Sequence, residues 1–119
     1  MRQVGVLAAC GLISLEDWQV KLKEDNDNAK WMATELSQLS WLTGIDTSIV
    51  ETNIFRFQLT EDFMKSKNID HNGFSALLAN KYHILMNASF TNDAIRIVTH
   101  RDASKKHIEE VVKVFKSLA

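Results

Sequence analysis

The run Val4-Gly5-Val6-Leu7-Ala8-Ala9-Cys10-Gly11-Leu12-Ile13-Ser14-Leu15 constrains this chain more than any other segment. It is apolar around almost the whole circumference of the helix it predicts over residues 3–14, with Gly5, Gly11 and Ser14 as interruptions. Such a helix must be covered on most sides. A chain of 119 residues has room for one domain with one core, and little surface to spare for that task. The run therefore predicts a partner surface. It is too short to span a bilayer, which takes about 20 apolar residues. Behind Arg2 it could pass for the apolar part of a signal peptide, but the charged Glu16-Asp17 follows where a small-residue cleavage site belongs. A buried helix in a cytoplasmic protein is the expectation. The single cysteine, Cys10, lies inside this run and cannot close an internal disulfide, which suits a reducing compartment. It reads as a small buried hydrophobe.

Downstream, Ser14 offers an N-cap, with Glu16 and Asp17 in the first turn where the helix dipole favours acids. A second helix is predicted to about Leu39. Trp18, Leu22, Ala29, Met32, Ala33, Leu36 and Leu39 recur along it at three- and four-residue spacing and form one apolar stripe. Trp41 to Ser48 reads as a loop with a turn at Gly44. Residues 49–59 read as a strand, because Phe55, Phe57 and Leu59 alternate with Arg56 and Gln58. A polar stretch leads to Asp70, which can cap a short helix carrying Phe74, Leu77 and Leu78. His83 to Met86 is predicted as a second strand, Asn87 to Asp93 as a loop, and Ala94 to Thr99 as a third strand. The last two strands are close enough for a hairpin. Asp102 or Ser104 caps a final helix with the stripe Ile108, Val111, Val112, Phe115 and Leu118.

Long N-terminal helices followed by strands and helices in turn give an α+β domain. Its expected form is a small, mainly antiparallel three-stranded sheet with helices packed on one face. Residues 1–119 make a single domain, since the chain has no proline, four glycines and no tract that reads as a linker. The net charge is −1, with acids and bases interleaved as in Lys21-Leu22-Lys23-Glu24-Asp25. That excludes an electrostatic case for nucleic acid or an anionic membrane, both of which need a basic surplus. His71, His83, His100 and His107 lack the close pairing of zinc sites, so no metal is expected. His100 is assigned to the turn after the third strand. Neither a glycine-rich phosphate loop nor a nucleophile elbow occurs.

Four segments go further. Met1-Arg2-Gln3 opens the apolar helix. Glu24-Asp25-Asn26-Asp27-Asn28-Ala29 lies on the second helix, and Thr52-Asn53-Ile54 leads into the first strand. Arg96-Ile97-Val98-Thr99-His100-Arg101-Asp102-Ala103-Ser104 runs from the last strand to the final helix. In order and spacing these segments resemble the C-terminal small domain of the pyridoxal-phosphate (PLP) dependent threonine aldolases. That family usually has a small residue where Cys10 stands.

The resemblance implies a lyase that splits threonine or allo-threonine into glycine and acetaldehyde, with PLP as the electron sink. It places the carboxylate-binding arginine on Arg96. A guanidinium is planar, always charged and pairs two-pronged with a carboxylate. Read without the resemblance, Arg96 is a strand arginine facing solvent or pairing with Asp93. The resemblance also puts Arg2 near the cofactor phosphate, where the other reading is an ordinary charged residue near a chain start. The family's Schiff-base lysine, its stacking histidine and the aspartate on the pyridine nitrogen belong to a large domain upstream of the Met-Arg-Gln segment. Ser66-Lys67-Asn68 only superficially echoes a lysine site, and Lys67 reads as solvated. No residue of this chain is thus expected to be catalytic by itself. The implied partners are the missing large domain or a homologous subunit, a small β-hydroxy amino acid, and further copies in a homo-oligomer. The competing reading is a non-catalytic, stand-alone α+β binding module derived from such an enzyme. An adapted module should cover residues 3–14, whereas a piece of the enzyme should leave them open.

Overall fold

The computed structural model describes residues 2–86 and 94–119. The expected strand-hairpin loop over residues 87–93 lies outside them. Five α-helices and one antiparallel three-stranded sheet are formed among the described residues: α1 (Val4–Leu15), α2 (Trp18–Ser37), β1 (Leu42–Thr43), β2 (Ile54–Leu59), α3 (Glu61–Lys67), α4 (His71–Tyr82), β3 (Ile95–Val98) and α5 (Lys105–Ser117). A short 3-10 turn, Thr47–Ile49, joins β1 to β2. The fold is α+β, as the sequence predicts.

The sheet order is β1-β2-β3. Leu42 pairs with Leu59, and on the other side of β2 Phe55 pairs with Ile97 and Phe57 with Ile95. Alternation does the rest. Phe55, Phe57, Leu59, Ile95 and Ile97 are buried on one face, while Arg56, Arg96 and Val98 stand exposed on the other. The C-terminal half of α2, with α3, α4 and α5, packs into the core on the buried face. Its centre is aromatic: Trp41 stacks on Phe63 at 4.3 Å between ring centroids, and Phe115 lies 5.7 Å from each of Trp41, Phe57 and Phe74. The C-terminal half of α2 joins this core through Ala29, Met32, Ala33 and Leu36. It is tied to α5 by a 2.5 Å ion pair from Lys116 Nζ to Glu35.

Gly44 follows β1 with φ +76°, in the left-handed region that glycine enters at little cost. The turn expected at Gly44 is therefore present. Asp70 caps α4 by accepting from the Gly73 N–H at 2.6 Å, and Ser104 caps α5 by accepting from the His107 N–H. Of the two candidates for the last cap, Ser104 fills it.

Other expectations give way. His83–Met86 forms no strand. His83 takes the left-handed conformation at the end of α4, and the Ile84 N–H donates back to the Leu78 carbonyl at 3.1 Å. This is the hydrogen-bond pattern of a helix terminator, and it consumes a donor that a strand would need. The third strand is instead β1, inside the predicted loop 41–48, and β3 pairs with β2 rather than in a hairpin with its predecessor. The polar stretch after β2 contains α3. Thr60 caps it, Glu61 and Asp62 stand in its first turn, and Lys65 and Lys67 in its last. Ser14 is no cap, because α1 runs through it. The break falls at Asp17, with φ 56° and no side-chain capping bond.

The largest departure concerns burial. No residue of α1 is buried, and Cys10 is exposed. Trp18 and Leu22, predicted on the core stripe of α2, are 46% and 50% exposed. The described residues bury no side chain of α1 or of the first turns of α2. The molecule is accordingly long for its size, 55 × 29 × 25 Å. None of the helices described is long and apolar enough to cross a membrane.

Candidate functional site

Three of the four segments singled out in the sequence, those holding Asp25, Asn53 and Thr99, meet at one end of the β2–β3 pair. Thr99, just past β3, is 2% exposed. Its N–H donates to the Asn53 carbonyl at 2.9 Å, and the Asn53 Nδ2 donates to the Thr99 carbonyl at 2.7 Å. Thr99 Oγ1 also donates to the Asp25 carbonyl on α2 at 2.6 Å. One threonine thus locks α2, the start of β2 and the end of β3 together. His100 follows and forms the turn: the Asp102 N–H donates to its Nδ1 at 3.3 Å, and the Ala103 N–H to its carbonyl at 2.8 Å. That is the turn-supporting role expected of His100.

This clasp fixes where Arg96 points. Ile95 and Ile97 on either side of it are 0% and 8% exposed, so alternation sends Arg96 to the open face of the sheet. There it makes no hydrogen bond or ion pair with any described residue. Asp93, its possible acidic partner, lies outside the described residues. Directly across the strands stands Arg56, also exposed and also without a described partner. Sequence reasoning treated Arg56 only as an outward strand position. The missing signal was register, which pairing alone supplies.

Arg56 also borders a recess of about 350 Å³ bounded by Gly44, Ile49, Val50 and Ile54. The recess includes Asp46, whose carboxylate accepts from the Ser48 hydroxyl at 2.6 Å and the Ser48 N–H at 2.9 Å. Those bonds hold its pKa below the ordinary carboxyl value, the hydroxyl contributing most.

Arg2 sits in the turn before α1 and is exposed. The structure does not bring it to Arg96: among the described residues no hydrogen bond or ion pair joins it to the sheet, and α1 buries nothing. Lys67 is exposed at the end of α3, 5.8 Å from the centroid of the Phe63 ring. An exposed lysine on a helix end and an exposed arginine in the turn before an uncovered helix do not by themselves form a cradle for PLP. The described residues therefore do not fit the cofactor on their own.

No protein-family model matches the chain. It is 33% identical over 118 residues to the low specificity L-threonine aldolase of Escherichia coli K12. It is 28% identical over 121 residues to the low-specificity L-threonine aldolase 1 of Arabidopsis thaliana, and 30% identical over 118 residues to that plant's probable low-specificity L-threonine aldolase 2. The matches take in 93–99% of this chain but 29–31% of each relative. The chain thus resembles part of the low-specificity L-threonine aldolases over almost its whole length, and spans less than a third of theirs.

Proposed function

We propose that this chain supplies the substrate-carboxylate side of a PLP-dependent lyase that cleaves L-threonine or L-allo-threonine to glycine and acetaldehyde. Residues 1–119 form one domain of that enzyme, and the remaining machinery belongs to a large domain or a homologous subunit. The observation that carries the reading is the placement of Arg96. Its backbone is fixed by the strand register, and its guanidinium is exposed and unpaired among the described residues, on the open face of a sheet whose other face is core. A fixed, two-pronged donor of this kind orients a carboxylate and so positions the bond to be cleaved. The cofactor, when bound by the whole enzyme, supplies the electron sink. Arg2 is assigned to its phosphate, which the large domain has to bring to it.

The uncovered α1 favours this reading over a stand-alone binding module. Val6, Leu12 and Leu15 are each more than three-fifths exposed, and an adapted module would have buried or replaced them. The large domain and a neighbouring subunit of a homo-oligomer are the expected cover.

Two preparations test the proposal. The chain alone, mixed with PLP, should give no red-shifted imine absorbance that borohydride abolishes. A chimera that joins this chain to the remaining length of the Escherichia coli relative should cleave threonine. A stoichiometric adduct on one lysine of the isolated chain would overturn the assignment, as would a folded, PLP-loaded chimera without lyase activity.

A further inference from the structure

Arg56 and Arg96 are direct cross-strand partners, so their side chains leave the sheet on the same face. Like charges placed opposite each other destabilise an antiparallel pair. The register gives neither residue an escape. A slip of either strand by one position would carry that strand's apolar residues, Phe55 and Phe57 or Ile95 and Ile97, out of the core and bring its arginine in. Hydrophobic burial on one face therefore enforces charge repulsion on the other. Among the described residues no acid relieves it. Asp46, the acid of the neighbouring recess, makes no ion pair with Arg56 and is bonded to Ser48.

The surroundings suit a small anion. Ile54 and Val98 form the next pair along the same face, each 41% exposed, and give the two cations an apolar flank. Gln58 stands on the other side of Arg56 on that face. Partners in such a pair have Cβ atoms about 4.5–5.5 Å apart. Two flexible guanidiniums rooted at that spacing can each take one carboxylate of a molecule whose acid groups are separated by one or two carbons.

We propose that Arg56 and Arg96 together form a two-cation site for a small dicarboxylate, with one carboxylate on each guanidinium. The substrate class rests on the reading of Arg96 given above. If Arg96 holds the α-carboxylate, Arg56 holds a second acid group, and the preferred substrate is a β-hydroxy-α-amino acid with an acidic side chain. The two-cation site itself stands on register and charge alone.

The test titrates the 119-residue chain with malonate and with acetate at fixed ionic strength, following the arginine side-chain N–H signals and the Ile54 and Val98 methyls by NMR. Malonate should bind roughly tenfold more tightly than acetate, as expected when a second charge-assisted pair is added. Arg56→Gln should erase that preference and leave acetate binding in place, whereas Arg56→Lys should keep part of it. Arg56→Thr should also raise the thermal midpoint of the free chain by removing the repulsion, and added malonate should narrow the gap to the parent. Both positions are exposed, so these variants keep the core intact, and the dispersion of the core methyl signals checks it. Equal affinity for the two anions, or a malonate preference that survives Arg56→Gln, would overturn the proposal. A preference lost in Arg56→Gln supports the site even if Arg96 proves dispensable in the assembled enzyme, so the two readings fail separately.

Discussion

Asn53 and Thr99 hold each other by two hydrogen bonds. The side-chain amide of Asn53 donates to the Thr99 carbonyl at 2.7 Å, and the Thr99 N–H donates to the Asn53 carbonyl at 2.9 Å. This clasp closes the end of the β2–β3 pair and is anchored to α2 by the Thr99 hydroxyl on the Asp25 carbonyl. Thr99→Val keeps the shape but strips that buried hydroxyl contact, and Asn53→Ala opens one arm of the clasp. Each should cost about 1–3 kcal/mol in chemical denaturation. The double variant should depart from the sum, because both side chains hold the position of the same residue, Thr99. Full additivity would show that the clasp is not a unit.

The aromatic centre should be the most sensitive part of the chain. Phe115 touches the rings of Trp41, Phe57 and Phe74 and is fully buried. Phe115→Ala should cost about 3–5 kcal/mol and alter the emission of Trp41, which stacks on Phe63. A loss below about 1 kcal/mol would mean that the ring cluster is not the core.

The exposed side of α1 should govern association. The parent chain should self-associate in sedimentation experiments through Val6, Leu7, Leu12 and Leu15. Replacing Leu7 with Lys and Leu12 with Glu should yield a monomer whose unfolding free energy changes by no more than about 0.5 kcal/mol, since neither side chain is part of the core. A parent chain that stays monomeric at high concentration would contradict this.

Acid should act on the turn before β2. The Ser48 hydroxyl and N–H keep the Asp46 pKa below its ordinary value in the folded state. Its contribution is therefore fully present above the unfolded carboxyl pKa of about 3.9. It is lost as pH falls through the lower folded value. The stability difference between parent and Asp46→Ala should be constant from neutral pH down to about 4 and shrink below it. A difference that grew on acidification would reverse the assigned sign.

Much of the fold was legible because it follows from periodicity. The alternation in Phe55-Arg56-Phe57 placed β2, and the stripe ending in Phe115 and Leu118 placed α5. Asp70 was readable as a cap from residue type alone, whereas residue type left the last cap open between Asp102 and Ser104. What escaped was short or non-periodic. Two residues, Leu42 and Thr43, carry no alternation to detect, and α3 buries only Phe63. The end of α4 looked extended because Ile84-Leu85-Met86 is a short apolar run, while the left-handed turn at His83 left no compositional mark. At the site, Arg96 was visible through its resemblance and through Ile95 and Ile97. Its pairing with Arg56 was invisible, because two strands 40 positions apart reveal their register only when folded.

The most direct measurement is the steady-state kinetics of Arg96→Ala in the chimera with the Escherichia coli relative. A charge-assisted carboxylate pair is worth about 1.5–3 kcal/mol. The variant should therefore lose roughly tenfold to a few hundredfold in kcat/KM for threonine, Arg96→Lys should recover only part of it, and PLP binding should be nearly unchanged. Full activity in Arg96→Ala, or loss of cofactor in place of catalysis, would contradict the account and return Arg96 to the role of a structural strand residue.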